Sequence, residues 1–248
     1  MIEITDLVCQ HPDGTIAVNG VTLTIPDGQF LIICGPNGSG KTTLIRHING
    51  LLKPAAGSIR VDGLDPAGPG TEVRRLVGMV FQDADSQIVG ETVREDIAFG
   101  PENLGLEEAE VAGRVADALR QVGLLELAEK PCHLLSGGEK RRLAIAGVLA
   151  MHPRILILDE PFANLDFHGV RQTLEQIVGF HQQGHTVIVT THDVEKVIAH
   201  ADQLAILHGG ELKALGPPAS LLSELVKYAV RPPCYSLLGA DPVSWLAA

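Results

Sequence analysis

The chain has 248 residues, 45% of them hydrophobic and only 4% aromatic, which suits one large α/β domain with an aliphatic core. Thirty acidic residues against 19 basic ones give a net charge of −11, so the basic footprint of a nucleic-acid binder is missing and no nucleic-acid partner is expected. Four cysteines, Cys9, Cys34, Cys132 and Cys234, lie far apart without a CxxC or Cys/His cluster. They read as small buried hydrophobes in a reducing compartment, not as zinc ligands or a disulfide framework. The first residues carry acids rather than a basic stretch followed by an apolar one, so no signal peptide is expected. No run approaches the roughly 18 apolar residues of a membrane span, so any membrane role must come through a partner.

In chain order, residues 2–8 and 15–25 read as antiparallel strands. In the second, Ile16, Val18, Val21, Leu23 and Ile25 mostly alternate with polar or small residues after an Asp13-Gly14 turn. The later strands 31–34, 77–81, 155–158, 186–190 and 204–207 are short and apolar throughout, as in parallel strands covered on both faces. Between 86 and 152 the pattern becomes helical: Val111, Val115, Ala118, Leu119 and Val122 keep helical spacing, and Gly123 ends the run. Ser136 and Glu139 have capping-box spacing, which predicts a helix from there towards His152, with Pro153 after it. From about 216 the chain holds Gly216-Pro217-Pro218 and Pro232-Pro233 with a short helix between, too little for a separate core.

Two motifs carry chemistry. Gly35-Pro36-Asn37-Gly38-Ser39-Gly40-Lys41-Thr42 matches GxxxxGK[ST] between a strand and a helix. Its glycines let backbone N–H groups turn towards phosphate oxygens, the helix start adds its positive end, Lys41 reaches the β- and γ-phosphates, and Thr42, with Thr43 beside it, stands by for Mg²⁺. Ile155-Leu156-Ile157-Leu158-Asp159-Glu160 sets two carboxylates at a strand end. Asp159 is the candidate Mg²⁺ contact and Glu160 the candidate to polarise the attacking water.

The run Leu135-Ser136-Gly137-Gly138-Glu139-Lys140-Arg141-Arg142 narrows the class. Two glycines inside a capping box weaken the helix start by about 1 kcal/mol each relative to alanine, which makes sense where another molecule approaches those amides. The run resembles the signature motif of ABC ATPases. In the same order as in that family, Gln82 resembles the Q-loop glutamine that senses Mg²⁺ and the attacking water. Asn164-Leu165-Asp166 resembles the D-loop, and His192 resembles the switch histidine at the γ-phosphate. His11 sits where the family often places a tyrosine against adenine. Val80-Phe81-Gln82-Asp83-Ala84-Asp85-Ser86-Gln87 looks like the VFQNPDDQ block of energy-coupling-factor (ECF) transporter ATPases, departing from it at Asp83 and Ala84. The stretch from Thr92 to Pro101 resembles their TVxEDVAFGP segment.

The resemblance implies an α/β fold: a P-loop NTPase core of ABC type with a mainly parallel sheet, an antiparallel β subdomain and a helical insert. Residues 1–85 and 153–215 would form the ATP-binding core, 86–152 the helical signature subdomain, and 216–248 an extension with a dimer contact. It further implies ATP and Mg²⁺, with each ATP held between the Lys41 loop of one copy and Ser136-Gly137-Gly138 of another in a head-to-tail dimer. Both half-sites are complete in this chain, which favours a homodimer over a heterodimer. Val93 and Ile97, an i/i+4 pair, are expected to line a groove for a helix of a membrane-embedded subunit, placing the chain peripherally at the cytoplasmic face of the membrane. Cobalt or nickel ions, or a vitamin such as biotin, are the cargoes this resemblance allows, with a metal ion preferred. A soluble ABC ATPase of cofactor assembly and a nucleotide sensor that binds without hydrolysis are the alternatives.

Overall fold

The computed structural model describes residues 1–68, 72–240 and 242–247. The chain opens with an antiparallel hairpin of β1 (Ile2–Gln10) and β2 (Ile16–Ile25), in which Ile2 faces Ile25, Ile4 faces Leu23 and Cys9 faces Val18. This period-2 apolar set is buried, while the residues between point to solvent. Ile16 departs from the expected pattern: it is 52% exposed and lies on the wall of a cavity described below. Next come β3 (Phe30–Cys34), α1 (Lys41–Ile48) and β4 (Ala56–Val61), the last pairing antiparallel with the free edge of β1.

The remainder supplies α2 (Glu72–Leu76), β5 (Val77–Val80), α3 (Val93–Asn103), α4 (Glu108–Gln121), α5 (Gly137–Leu149), β6 (Ile155–Asp159), α6 (Phe167–Gln182), β7 (Thr186–Thr191), β8 (Gln203–His208), β9 (Glu211–Gly216), α7 (Pro218–Leu221) and α8 (Cys234–Leu237). A six-stranded sheet in the order β5-β6-β7-β3-β8-β9 is parallel except for the antiparallel edge strand β9. Strand alternation divides the interior into two cores. Phe30, Ile32 and Cys34 of β3 belong to the core that also holds the buried faces of α4, α5 and α6, while Leu31 and Ile33 belong to the one shared with α1 and the three-stranded sheet. Both faces of β3 are thus covered, which is why its sequence is apolar without a break. Each buried Leu, Ile or Phe there contributes about 1.5–3 kcal/mol.

The helix ends follow from local chemistry. α4 stops at Gln121, and Gly123 takes φ +67 beyond it. The α5 cap forms as the spacing predicts: Glu139 N–H donates to Ser136 Oγ (3.3 Å) and Ser136 N–H to Glu139 Oε2 (2.6 Å). The Ser136 backbone bond, ahead of the other causes, pulls the Glu139 carboxyl below its ordinary pKa. α5 ends at Leu149, short of the expected reach to His152, which turns at φ +53. An equivalent box, Thr92 with Glu95, starts α3.

Val93 and Ile97 correct an expectation. Both are fully buried against α4 and α5 and line no groove; the i/i+4 stripe serves the chain's own core. The exposed apolar residues nearby are Phe99 (52%) and Val89 (61%), on a groove of about 500 Å³ shared with Arg74, Arg75, Leu104 and Met151. The carboxyl-terminal residues fold back on the chain: Trp245 packs against Phe167 with ring centroids 5.5 Å apart, and Ser244 Oγ lies 2.8 Å from His200 Nε2. No helix among the described residues is long and apolar enough to cross a membrane.

Candidate nucleotide site

The loop from Gly35 to Gly40 leaves β3 at its carboxyl end and enters α1 at Lys41. Glycine is required at its two ends. A Cβ on Gly35 would stand 2.1 Å from the Leu207 carbonyl oxygen, and Gly40 has φ +98 with its Cβ position 2.3 Å from the Ala17 oxygen. Ser39 N–H donates to Pro36 O (3.1 Å), and Gly210 N–H ties the loop to β8–β9 through Ser39 O (3.1 Å). Lys41 is 6% exposed, and its Nζ donates to Gly35 O (2.8 Å) and Pro36 O (3.1 Å). Burial lowers its pKa, opposed by the nearby Glu160 and Asp159 charges. Cys34, beneath the loop, is pushed up to about 12 by burial.

Asp159 and Glu160 lie at the end of β6. Thr42 Oγ1 donates to Asp159 Oδ2 (2.8 Å), and Thr190 Oγ1 of β7 donates to Asp159 Oδ1 (2.5 Å), so both carboxylate oxygens are fixed. Glu160 turns at φ +46, and its N–H donates to Thr190 O (3.0 Å). Its Oε1 lies 3.8 Å from Lys41 Nζ and 2.9 Å from His192 Nδ1. A cavity of about 580 Å³ opens over this cluster, with His11, Ile16, Asn37, Thr43, Gln82 and Glu160 among its walls. A smaller one of about 340 Å³ exposes Thr42, Gln82 and Asp159 together.

The fold therefore brings Asn37, Gly38, Ser39, Gly40, Lys41, Thr42, Thr43, Gln82, Glu160 and His11 to one cavity, with Gly35 and Pro36 outside its lining, Asp159 bonded to Thr42 and His192 bonded to Glu160. Ser136, Gly137, Gly138 and Asp166 line neither space. Asp166 caps α6, accepting from Gly169 N–H (2.8 Å). Three participants were not foreseen. Thr190 holds both acidic residues, Ile16 supplies an apolar wall, and Arg141 donates to the backbone at Gln82. The signal for Thr190 was a polar pair, Thr190-Thr191, ending a buried strand, since buried hydroxyls have partners.

Hard oxygen donors line the smaller cavity, the Asp159 carboxylate, the Thr42 hydroxyl and the Gln82 amide with Asp83 and Ser86 beside them, a donor set that fits Mg²⁺. Among the described residues no cluster of three or more His, Cys, Asp or Glu side chains is placed to hold a metal by itself. Triphosphate oxygens and water would complete such a shell, as Mg²⁺ at phosphate sites uses few protein ligands.

The "ABC transporter" family model matches residues 18–163. The energy-coupling factor transporter ATP-binding protein EcfA of Methanothermobacter thermautotrophicus is 44% identical over 234 residues, spanning 92% of this chain and 75% of that protein. The cobalt import ATP-binding protein CbiO of Rhodobacter capsulatus is 45% identical over 233 residues, spanning 92% and 83%. The solved structure of cbiO1 from Clostridium perfringens, described as part of the ABC transporter complex cbiONQ, superposes with a TM-score of 0.82 at 37% identity, covering 96% of this chain and 98% of that one. With the phosphate loop, paired acids and signature run in one fold, the chain belongs to the ABC transporter family, as an ATP-hydrolysing ATP-binding subunit of the energy-coupling-factor type.

Proposed function

We propose that the chain drives import of a small cargo, a cobalt or nickel ion in preference to a vitamin, by closing a head-to-tail homodimer around ATP. The observation that carries the dimer is at Gly137 and Gly138. Neither has positive φ, and a Cβ on either would meet nothing within 4 Å. The chain's own fold thus gives no reason for glycine there, although alanine favours the helix. Close approach of a second molecule to those amides supplies the reason, and the anionic γ-phosphate on a partner's Lys41 loop is chemically suited to a helix start.

In this reading Lys41 exchanges the Gly35 and Pro36 carbonyls for phosphate oxygens. Asp159, Thr42 and Gln82 would hold Mg²⁺, which would supply charge neutralisation to the triphosphate. Glu160 accepts the proton of the water that attacks the γ-phosphorus as the bond to the β-phosphate oxygen breaks, giving ADP and phosphate. His192 holds the Glu160 carboxylate in place. His11 and Ile16 flank the base, and Asp166 sets the start of α6 at the subunit boundary. Residues 86–152 form the helical signature subdomain, and the exposed Leu237 and Leu238 of the 216–248 extension add subunit contact. The groove at Val89, Phe99 and Leu104 receives a helix of a membrane-embedded subunit, which keeps the chain at the cytoplasmic face.

Size measurement with ATP tests the dimer. Glu160→Gln should form a dimer on ATP addition, and Ser136→Arg in that background should stay monomeric while still binding nucleotide. A normal dimer in the doubly substituted chain rejects the shared site. Uptake into vesicles holding the co-purifying membrane proteins separates Co²⁺ and Ni²⁺ from biotin. Absence of any such protein favours the soluble alternative.

A further inference from the structure

Arg141 is 4% exposed at the start of the second turn of α5, yet among the described residues no ion pair neutralises it. Its Nη1 donates to Phe81 O (2.6 Å) and its Nη2 to Gln82 O (2.5 Å), two consecutive carbonyls just after β5. Its Nε is buried without a partner. Burial lowers its pKa, opposed by Asp83 and Asp159. A buried guanidinium lacking a carboxylate costs stability, and an apolar residue of similar volume often serves the fold as well or better. The cation is therefore better explained by what it holds than by what it stabilises.

What it holds is the peptide of Gln82, whose side chain lines both cavities of the nucleotide site. The same segment is fixed at its base by Gln87. Gln87 Oε1 accepts from Phe81 N–H (2.9 Å), and its Nε2 donates to Met79 O (3.3 Å). Lys140, beside Arg141, pairs with Asp85 at 2.5 Å. At Asp83 and Ala84, the positions that depart from the Asn-Pro of related blocks, the turn is closed by Asp83 Oδ1 accepting from Asp85 N–H (3.1 Å) and by Ser86 Oγ donating to Asp83 O (2.7 Å). The segment is therefore a stiff turn bolted to one end of α5, the end that presents Ser136, Gly137 and Gly138.

We propose that Arg141 is a positioning residue, a planar fork that locks the Gln82 backbone to the N-terminal half of α5 so that the Gln82 side chain and the Ser136–Gly138 surface move together. The two donors of a guanidinium meet two adjacent carbonyls in fixed geometry, which a single ammonium cannot reproduce. The proposal rests on the reading of Gln82 as a contact to the nucleotide site.

A double-mutant cycle on the full chain tests it, reading ATP turnover and the affinity for a fluorescent ATP analogue. Arg141→Met keeps the volume and removes the fork. It should lower kcat about 100-fold, the cost of misplacing a reacting group by about 1 Å, while nucleotide affinity changes less than about threefold because the Lys41 loop is untouched. Arg141→Lys should recover part of the loss. Combined with Gln82→Ala, Arg141→Met should cost nothing further, since it acts through that residue. Multiplying losses, with Gln82→Ala itself impaired, overturn the coupling alone. Full turnover in Gln82→Ala rejects the Gln82 reading and the coupling with it. If melting shows Arg141→Met unfolded, Arg141→Lys takes its place in the cycle with the same outcomes.

Discussion

At the residue scale the site is organised around two buried charges that satisfy each other. Lys41 and Glu160 are both nearly inaccessible and stand 3.8 Å apart. Removing one partner of such a pair leaves the other charge uncompensated, which is more damaging than the pair is favourable. Lys41→Ala should therefore lose both function and stability. ATP turnover should fall by about 10³-fold or more, in keeping with the electrostatic share of phosphoryl-transfer catalysis, and the melting temperature should drop as well. Lys41→Met, which keeps the aliphatic stem, should lose turnover equally but melt at a higher temperature than Lys41→Ala. Turnover assays beside melting curves check this, and near-normal hydrolysis in either variant removes Lys41 from the site. Glu160→Gln differs in kind. It removes the proposed proton acceptor but keeps an acceptor oxygen for His192, so it should bind ATP and stall.

At the element scale, glycines divide into those the fold demands and those it does not. Gly35 and Gly40 are forced by the 2.1 and 2.3 Å approaches of backbone oxygens. Gly137 and Gly138 begin α5 with room for a side chain. Alanine at both should therefore raise thermal stability, by up to about 1 kcal/mol each, and at the same time weaken ATP-driven dimerisation and turnover. Melting curves and ATP-dependent sizing report the two effects separately, and substitutions that stabilise without weakening the dimer would show that nothing approaches those amides. This contrast also explains what the sequence made legible. The Lys41 loop and the Ser136–Glu139 cap stood out because each needs fixed residue types at fixed spacing. β4 and β9 did not, because they are short edge strands with mixed exposure that leave no clean period. Val93 and Ile97 misled because an i/i+4 apolar pair looks the same whether it faces a partner or its own core. Burial alone decided, and Phe99 is the exposed large apolar residue of that helix. Arg141 lies within the recognised run, but its partners are main-chain carbonyls, which no side-chain pattern encodes.

Across the whole molecule, acidification sets two effects against each other. The chain carries −11 at pH 7 with an isoelectric point near 5.3, so lowering the pH towards 5.5 relieves self-repulsion and on that ground stabilises the fold. Three histidines act the other way. His152, His185 and His200 all have pKa values lowered from 6.5, chiefly by burial. Arg114 adds to the effect at His152, Arg154 and His152 at His185, and His181 at His200. The unfolded chain takes up protons as the pH falls through 6.5, while the folded chain resists until lower pH. The unfolded state thus binds more protons in that window, and stability declines with falling pH. Long-range repulsion among surface charges is screened at ordinary salt, whereas charging a ring stacked 4.3 Å from Phe180, as His185 is, is not. The local effect should win. The melting temperature at 0.15 M salt should be a few degrees lower at pH 5.5 than at pH 7.5. His185→Tyr, which keeps the stacking and cannot charge in this range, should reduce that difference. Melting temperatures that rise on acidification, or a His185→Tyr profile parallel to the parent, would show instead that net repulsion governs the acid side of the stability curve.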